Sequence, residues 1–143
     1  MNRVLFEADE CQEADLLTLS DHRFQHLTRI LKARLGDRIR IGMINGRVGY
    51  GEVINLTDEA VSLRLTLTEC APPRHPAMLI LALPRPKMLR RVLRTCAEFG
   101  VSQIHLINSY RVEKSYWQSP LLKPEKVRSA LLKGLERSGD TVL

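Results

Sequence analysis

Residues 78–108 read MLILALPRPKMLRRVLRTCAEFGVSQIHLIN, and their pattern predicts the architecture of the second half of the chain. Met78 to Leu83 is a continuous apolar run without alternation, which is typical of a parallel strand covered on both faces. Pro84-Arg85-Pro86 ends this strand, and apolar residues then recur at helical spacing as far as Gly100. Ser102 to Asn108 is a second apolar strand. The stretch therefore predicts a βαβ unit with a right-handed crossover.

The sequence before residue 72 combines strand patterns with one helix. Apolar residues recur at helical spacing from Ser20, a good N-cap, to Gly36, which predicts a helix of about four turns. From Arg38 the period changes to two, and Asn45-Gly46 predicts a type I′ hairpin turn. Further strands are predicted over residues 3–6, 48–56 and 61–68. Together these elements predict a small β-barrel that carries one helix.

The pattern at the end of the chain predicts a module whose small sheet needs further strands. A helix is expected from Pro124 to Gly139, and Asp140-Thr141-Val142-Leu143 then looks like the entry to another strand. Two parallel strands with two helices leave sheet edges unpaired, and such small sheets are rarely stable alone. We therefore expect a second module that is truncated or that borrows strands from a partner.

Length and composition limit the class of protein. The chain has 143 residues, 44% of them hydrophobic, which suits one medium domain or two small ones. No apolar run approaches the roughly 18 to 20 residues of a transmembrane helix, and no secretory signal is visible, so we expect a cytoplasmic protein. The three cysteines lack CxxC or Cys/His spacing. Neither a disulfide framework nor a metal site is predicted.

The positive charge lies mainly in the second half of the chain. Residues 1–76 carry 10 basic and 11 acidic side chains, whereas residues 77–143 carry 12 and 5. Within the first part, residues 7–21 carry six acids and no base, and residues 22–47 carry seven bases and one acid. A basic stretch beside an acidic one can form a directional patch for a polyanion. Nucleic acid is therefore a candidate ligand, and a solvated surface is the alternative.

The helix after Pro86 carries the sharpest local signal. Its basic residues Lys87, Arg90, Arg91 and Arg94 are spaced i, i+3, i+4 and i+7, so four cations share one helical face. Each like-charged pair costs about 0.2 to 0.5 kcal/mol unless it is neutralised, which makes an anionic ligand a reasonable partner. An ordinary solvated face of an amphipathic helix is the alternative.

A second candidate surface lies in the N-terminal module. His26 and Arg29 share a helix face that continues into Arg38 and Arg40 of the next strand. We interpret His26 and Arg29 as residues that donate hydrogen bonds to RNA phosphates or base edges. His22 and His26 are four residues apart, but no nearby residue completes a set of metal ligands.

The loop after residue 108 mixes aromatic and basic side chains. Tyr110, Tyr116 and Trp117 alternate with Arg111 and Lys114, which suits either a stacking platform for an unpaired base or a plug in an interface. No glycine-rich phosphate loop, nucleophile elbow or recognisable Cys/His pair occurs in the sequence. The residues by themselves indicate an RNA-binding surface and no visible catalytic centre.

Short motifs along the whole chain resemble the RsmE family, the uridine-N3 methyltransferases of small-subunit ribosomal RNA, which belong to the SPOUT or trefoil-knot class. The matching stretches are HLTRIL at 26–31 with LGD at 35–37, NG at 45–46 with GEV at 51–53, Lys87 opening a helix that ends EFGV at 98–101, and SYR at 109–111. Each motif is short, and the resemblance rests on their order and spacing together.

The resemblance implies a mixed α/β protein with two functional parts. These are a PUA-like RNA-binding β-barrel over residues 1–71 and, after a Pro-rich linker over 72–76, the first half of an α/β SPOUT methyltransferase domain over 77–143. It also implies S-adenosylmethionine as cofactor, 16S ribosomal RNA or the small ribosomal subunit as partner, and a homodimer. Arg111 is the candidate catalytic residue. The candidate RNA-binding residues are His26, Arg29, Arg38, Arg40, Lys87, Arg90 and Arg91.

The sequence departs from the family at two places. Members continue into glycine-rich segments that tie the knot and hold the cofactor, and this chain lacks these segments. Residues 136–140 read ERSGD where many members have Glu-Gln followed by a later Arg. We therefore expect no cofactor-binding residues in this chain, poor binding of the methyl donor, and no methyl transfer by the chain alone. The alternatives are a stand-alone RNA-binding module without catalysis and an assembly protein that meets an acidic protein partner.

Overall fold

The computed structural model describes residues 2–13 and 15–143, which form two compact units. The N-terminal unit extends from Asn2 to Ala71, and the C-terminal unit extends from Pro72 to Thr141. Both contain helix and strand, so the mixed α/β fold class predicted from the sequence is confirmed. No helix in the described ranges is long and apolar enough to cross a membrane.

The N-terminal unit is a six-stranded sheet that curls as a half-barrel. Its strands are β1 (Val4–Phe6), β2 (Cys11–Glu13), β3 (Leu16–Leu19), β4 (Arg38–Met43), β5 (Val48–Leu56) and β6 (Val61–Glu69). Their order is β1-β4-β5-β6-β3-β2, and β1 pairs with β4 in parallel while all other neighbours are antiparallel. The curled sheet agrees with the small β-barrel module predicted from the sequence.

Alternating side chains build the core of this unit. Val61, Leu63 and Leu65 of β6 are buried, while Arg64 and Thr66, which follow Leu63 and Leu65, are exposed. This agrees with the strict period of two in the sequence. Strands β2 and β3 were not predicted from the sequence, although β3 contributes two fully buried leucines to the core. Strands of three or four residues are too short for alternation to stand out.

The helix predicted from Ser20 to Gly36 is much shorter in the structure. Asp21 caps it by accepting a hydrogen bond from the Arg23 amide at 2.8 Å, and α1 (His22–Gln25) continues as a π-helix over His26–Ile30. The Leu31 amide donates to the His26 carbonyl, five residues back. This wider spacing moves the following side chains out of line with the apolar stripe. Ile30 and Leu31 are exposed where this segment ends, and Leu35, which lies beyond the helix, is exposed as well.

The hairpin predicted at Asn45-Gly46 joins β4 to β5, but its turn is not type I′. That turn needs positive φ at both central residues. Asn45 has φ 57°, whereas Gly46 is not in the left-handed region. The Gly46 amide donates to the Met43 carbonyl, and four residues separate the two strands. The longer loop removes the need for a second left-handed residue.

The C-terminal unit is a βαβ unit followed by one more long helix. It consists of β7 (His75–Ala82), α2 (Pro86–Glu98), β8 (Val101–Ile107), two 3-10 turns over Lys114–Gln118 and Pro120–Leu122, and α3 (Pro124–Ser138). Strands β7 and β8 pair in parallel, as predicted. Gly100 and Gly139 follow the two helices with φ of 66° and 81°, values that favour glycine.

Burial of the parallel sheet differs from the prediction. Leu81 of β7 packs against a core that includes Leu89 and Leu93 of α2. Met78 and Ile80 of β7 remain 58% and 62% exposed, so coverage of both faces, expected from their unbroken apolar run, is wrong for this unit. The described helices pack on the Leu81 face alone. His105 of β8, which pairs with Ile80, is also exposed on this face.

Both ends of the C-terminal unit differ from the sequence expectation. His75 and Pro76, assigned to the linker, begin β7, where the register shifts between His75 and Met78 and a residue without an amide hydrogen is tolerated. Residues 140–143 form no strand. Asp140 is instead 4% exposed, and its carboxylate accepts hydrogen bonds from Arg74 Nε at 3.1 Å and the Thr141 amide at 2.7 Å.

Candidate nucleic-acid interface

One face of the half-barrel carries the predicted pair Arg38 and Arg40. These residues are two apart on β4, so they lie on the same face of the sheet, and both are exposed. The register places Arg38 beside Glu52 and Arg40 beside Tyr50. Tyr50 is 43% exposed. The sheet therefore presents two guanidinium groups with an aromatic ring next to one of them.

A small cleft lies next to Arg40. It has a volume of about 190 Å³ and is lined by Arg3, Arg40, Gly49, Tyr50 and Glu69. Arg3 donates from Nη1 to the Ile41 carbonyl at 3.2 Å, while its buried Nε has no hydrogen-bond partner in the described structure. Burial, together with the charge of Arg40, lowers the pKa of Arg3. An anion in this cleft could accept a hydrogen bond from Arg3 Nε, and its negative charge would raise the pKa of Arg3.

His26 and Arg29 lie on the π-helical segment. Arg29 is exposed and lines an open cleft with Phe24, Thr28 and Asp58, among others. His26 is half-buried, and its Nε2 atom has no hydrogen-bond partner among the described residues. Arg29 is therefore accessible to a ligand, whereas His26 reaches the surface only in part.

The acidic stretch of the N-terminal unit is engaged by Arg23. Its guanidinium pairs with Glu10 through Nη2, donates to Glu10 Oε2 at 3.1 Å through Nη1, and contacts Asp21 Oδ2 at 3.0 Å through Nε. Burial opposes the charge of Arg23, but the two carboxylates raise its pKa. The hydrogen bonds from Arg23 lower the pKa of Glu10, against a smaller effect of burial. These carboxylates are thus structural partners of Arg23.

We expect Glu10→Gln to reduce the acid sensitivity of the N-terminal unit. Because the pKa of Glu10 in the folded state lies below its ordinary value of 4.5, its contribution is complete above pH 4.5 and is lost as the pH falls through the lower folded value. The contribution at neutral pH is about 1 kcal/mol, discounted because the pair is partly exposed. Urea unfolding at successive pH values measures it. Glu59→Gln, in an exposed turn, is the control, and equal acid sensitivity of both variants would contradict the prediction.

Only part of the basic face of α2 lines a cleft. Arg90, Arg91 and Arg94 line a cleft of about 350 Å³ against α3, whereas Lys87 is exposed and is not among the lining residues. Arg94 Nε contacts Glu98 Oε1 at 3.0 Å. The cleft therefore collects three of the four cations that the sequence places on one helical face.

The aromatic side chains after β8 are mostly held by hydrogen bonds. The Tyr116 hydroxyl accepts from Arg85 Nε at 3.2 Å and donates to Glu113 at 3.1 Å, and Trp117 Nε1 donates to Asn108 Oδ1 at 3.3 Å. Tyr110 is fully exposed. Of the three predicted stacking residues, Tyr110 is thus the most accessible. Arg111 follows it, is also exposed, and is not among the residues that line the α2–α3 cleft or the cleft beside Arg40.

The structure also adds basic and aromatic residues that the sequence analysis did not select. Arg3 and Tyr50 join Arg40 in the barrel cleft, and two lysines of α3 join Arg90 and Arg91 in the α2–α3 cleft. The two-residue turn predicted at Asn45-Gly46 would have paired Tyr50 with Ile41, so the sequence did not place Tyr50 beside Arg40. The lysines of α3 carry no local signal, because only tertiary packing brings the two helices together.

Family comparison connects these surfaces to a known class of enzyme. A family model described as an RNA methyltransferase domain matches residues 71–143, about half of the chain. The chain belongs to this RNA methyltransferase family. A second model, described as an RNA methyltransferase PUA domain, matches residues 19–66 in the half-barrel.

Curated relatives support the same family. The ribosomal RNA small subunit methyltransferase E of Treponema pallidum (strain Nichols) is 38% identical over 147 residues, which cover 100% of this chain and 54% of the relative. Methyltransferase E 1 of Borreliella burgdorferi is 22% identical over 143 residues, covering 100% of this chain and 59% of the relative. The predicted resemblance to the RsmE family is therefore confirmed along the whole chain. The chain spans about half the length of these relatives.

Solved structures share the fold. A ribosomal RNA small subunit methyltransferase E from Neisseria gonorrhoeae, bound to S-adenosyl methionine, matches with a TM-score of 0.70 and 17% identity, covering 100% of this chain and 62% of that one. A protein from Porphyromonas gingivalis described as a probable rRNA-methyltransferase matches with a TM-score of 0.72 and 19% identity, covering 98% of this chain and 57% of that one. At these identities the likeness establishes the fold.

Proposed function

We propose that this chain supplies the RNA-binding unit and the first part of the catalytic unit of an enzyme that methylates N3 of uridine in 16S ribosomal RNA. S-adenosylmethionine is the methyl donor in this proposal. The observation that carries it is the 38% identity, along the whole chain, to a ribosomal RNA small subunit methyltransferase E. Two separate clusters of exposed or cleft-lining arginines, one in each unit, support RNA as the substrate.

RNA binding is assigned to both basic surfaces. Arg38 and Arg40 lie on one face of the half-barrel and would contact phosphates, while the neighbouring Tyr50 offers a ring for stacking. His26 and Arg29 extend this contact from the π-helical segment. In the C-terminal unit, Lys87, Arg90 and Arg91 of α2 are assigned to the phosphate backbone.

Arg111 is the proposed catalytic residue of this chain. Methylation at N3 of uridine requires loss of the N3 proton, and the resulting negative charge is shared with the neighbouring carbonyl oxygens. A guanidinium stays protonated at physiological pH and can stabilise that anion. Arg111 is exposed in the segment that follows β8, where it is accessible to a base presented from solution.

The two basic clefts, one between α2 and α3 and one beside Arg40, do not suit the methyl donor. The α2–α3 cleft is lined by five cationic side chains, and the barrel cleft holds Arg3 and Arg40 against the single carboxylate of Glu69. The donor carries a sulfonium cation, which these charges repel. We assign the site of the methyl donor to the region of the relatives that this chain does not span. We place the complete catalytic unit in the SPOUT, or trefoil-knot, class.

The proposal includes a homodimer that acts in the cytoplasm, where bacterial ribosomal RNA is found. Exposed Met78 and Ile80 on the open face of the parallel sheet support a further covering element, either from a second copy or from the same protein. Residues 1–71 form the RNA-binding domain in this proposal, and residues 77–143 belong to the catalytic domain.

We expect Arg111→Ala to lower kcat for methyl transfer about tenfold. The loss is smaller than the roughly 100-fold effect of a donor in a water-excluded site, because Arg111 is exposed to solvent. The measurement uses protein expressed from the complete reading frame, small-subunit ribosomal RNA and a labelled methyl donor. Mass spectrometry of the digested RNA identifies the methylated atom.

Lys114→Ala is the matched control, because it removes an exposed cation three residues further along the chain. We expect this variant to keep the wild-type rate. An unchanged rate in Arg111→Ala would assign the stabilising role to another residue. Methylation of a base other than uridine, or RNA binding without any methyl transfer, would contradict the proposed reaction itself.

A further inference from the structure

We infer that the cleft between α2 and α3 binds consecutive phosphates of single-stranded RNA, and that Lys126 and Lys133 of α3 are RNA-binding residues. This inference rests on the proposed function, because it takes RNA to be the substrate. It adds a specific site and two residues of α3 that have no local sequence signal. The cleft, rather than the exposed face of α2 alone, is then the unit of recognition in the C-terminal half.

The first observation is the composition of the cleft. It has a volume of about 350 Å³. Its lining residues are Arg90, Arg91, Arg94, Leu121, Lys126, Ser129, Ala130 and Lys133. Five of these eight are cationic and none is acidic. Leu121 and Ala130 are buried and belong to the core beneath the cleft, so the charges stand over an apolar floor.

The second observation is the close approach of the two helices. A Cβ added at Gly134 of α3 would overlap the carbonyl oxygen of Arg94 and lie 2.7 Å from the Cβ of Ala97. The helix backbones are therefore in contact at this glycine. This contact holds Arg94 of α2 and Lys133 of α3 beside each other, and the two basic rows cannot separate without loss of the packing.

The third observation is that four of the five cations of the cleft have no ion-pair partner among the described residues. Glu98, the carboxylate nearest to Arg94 in the sequence, contacts Arg94 Nε at 3.0 Å and Arg137 Nε at 3.4 Å. In residues 2–13 and 15–143, none of the other four cations of the cleft forms an ion pair with a carboxylate. Their mutual repulsion is therefore relieved only by solvent or by a bound anion.

The chemistry of the cleft fits a phosphate chain. Guanidinium groups bind phosphate oxygens in bidentate fashion, and lysine ammonium groups add point charges that follow a flexible backbone. Ser129 supplies a hydroxyl donor between Lys126 and Lys133. An acidic protein could also meet these charges, but membership of an RNA methyltransferase family favours RNA.

The test is the affinity of the chain for a short single-stranded RNA, measured by fluorescence anisotropy between about 50 and 200 mM salt. We expect Lys126→Glu with Lys133→Glu to weaken binding at least about tenfold at low salt. The slope of log affinity against log salt should fall by about 0.7 for each phosphate that the variant no longer neutralises. Lys126→Arg with Lys133→Arg should retain the affinity, because the positive charge is kept.

The control variant carries Lys114→Glu and Lys123→Glu, two exposed lysines of the same unit that do not line the cleft. Its change in net charge is identical, and we expect a loss of less than about twofold. Fluorescence of Trp117, the only tryptophan, and far-ultraviolet circular dichroism verify that both variants fold.

The possible results distinguish the role of the cleft from the proposed function. Equal losses in the cleft and control variants would overturn this inference and leave the proposed function intact, because RNA would then be bound elsewhere. Polyglutamate that binds as tightly as RNA, with the same dependence on Lys126 and Lys133, would assign the cleft to an acidic protein instead. No RNA affinity in the wild-type chain would overturn the inference and the proposed function together.

Discussion

Replacing Gly49 with alanine is expected to destabilise the N-terminal unit by about 3 kcal/mol, at the upper end of the usual cost of overpacking. A Cβ at this position of β5 would overlap the carbonyl oxygen of Thr66 and lie 2.9 Å from its carbonyl carbon. The obstacle is the backbone of β6, which cannot move without breaking the pairing of Gly49 with Leu67. Urea unfolding followed by circular dichroism measures the change in free energy of unfolding.

Gly46→Ala is a matched control in the same hairpin. A Cβ at Gly46 would overlap Cε of Met43, which is the flexible end of a side chain and can turn away. We expect a loss of less than about 1 kcal/mol for this variant. Equal destabilisation by the two alanines would show that the close approach of β5 to β6 is not the cause.

The same close approach positions part of the candidate RNA-binding surface. Gly49 precedes Tyr50, and the register that brings Gly49 against β6 also sets Tyr50 beside Arg40. A shift of this strand by one residue would turn the Tyr50 ring towards the core. The stability of the sheet and the geometry of its basic face therefore depend on one glycine.

Local signals predicted many elements of the fold well. Strand β5 has the predicted bounds, and α2 and α3 lie between the predicted proline starts and the glycines that follow them. Proline restricts the first turn, and glycine accepts the left-handed conformation after the last one. These preferences act over a few residues, so they can be recognised without knowledge of the tertiary structure.

The errors arose where longer-range structure decides the outcome. The π-helical hydrogen bond at Leu31 exposes Ile30 although its spacing fits a buried stripe. Met78 and Ile80 are apolar, but burial depends on whether another element covers their face. Likewise, the contact at Gly134 that joins α3 to the basic row of α2 involves residues far apart in sequence. The residues that α3 contributes to the α2–α3 cleft could not be predicted from the sequence for that reason.

Reversing the charge of Arg38 and Arg40 together is expected to weaken binding of single-stranded RNA about 100-fold at low salt. Neither position can then bind a phosphate, each new glutamate repels the RNA backbone, and Tyr50 beside Arg40 would no longer meet a correctly placed base. Both residues are exposed on β4, so the fold should be retained. Anisotropy titrations at several salt concentrations measure the loss of affinity, which should shrink as salt rises because phosphate contacts are screened.

The variant with Lys114→Glu and Lys123→Glu again controls for net charge, since its change is the same but lies in the other unit. Arg38→Lys with Arg40→Lys separates charge from geometry, because lysine keeps the charge and lacks the bidentate guanidinium. We expect the lysine variant to bind within about tenfold of the wild type and to keep the salt slope. If the glutamate variant and the control lose affinity equally, the half-barrel attracts RNA only through overall charge, and Arg38 and Arg40 are not contact residues.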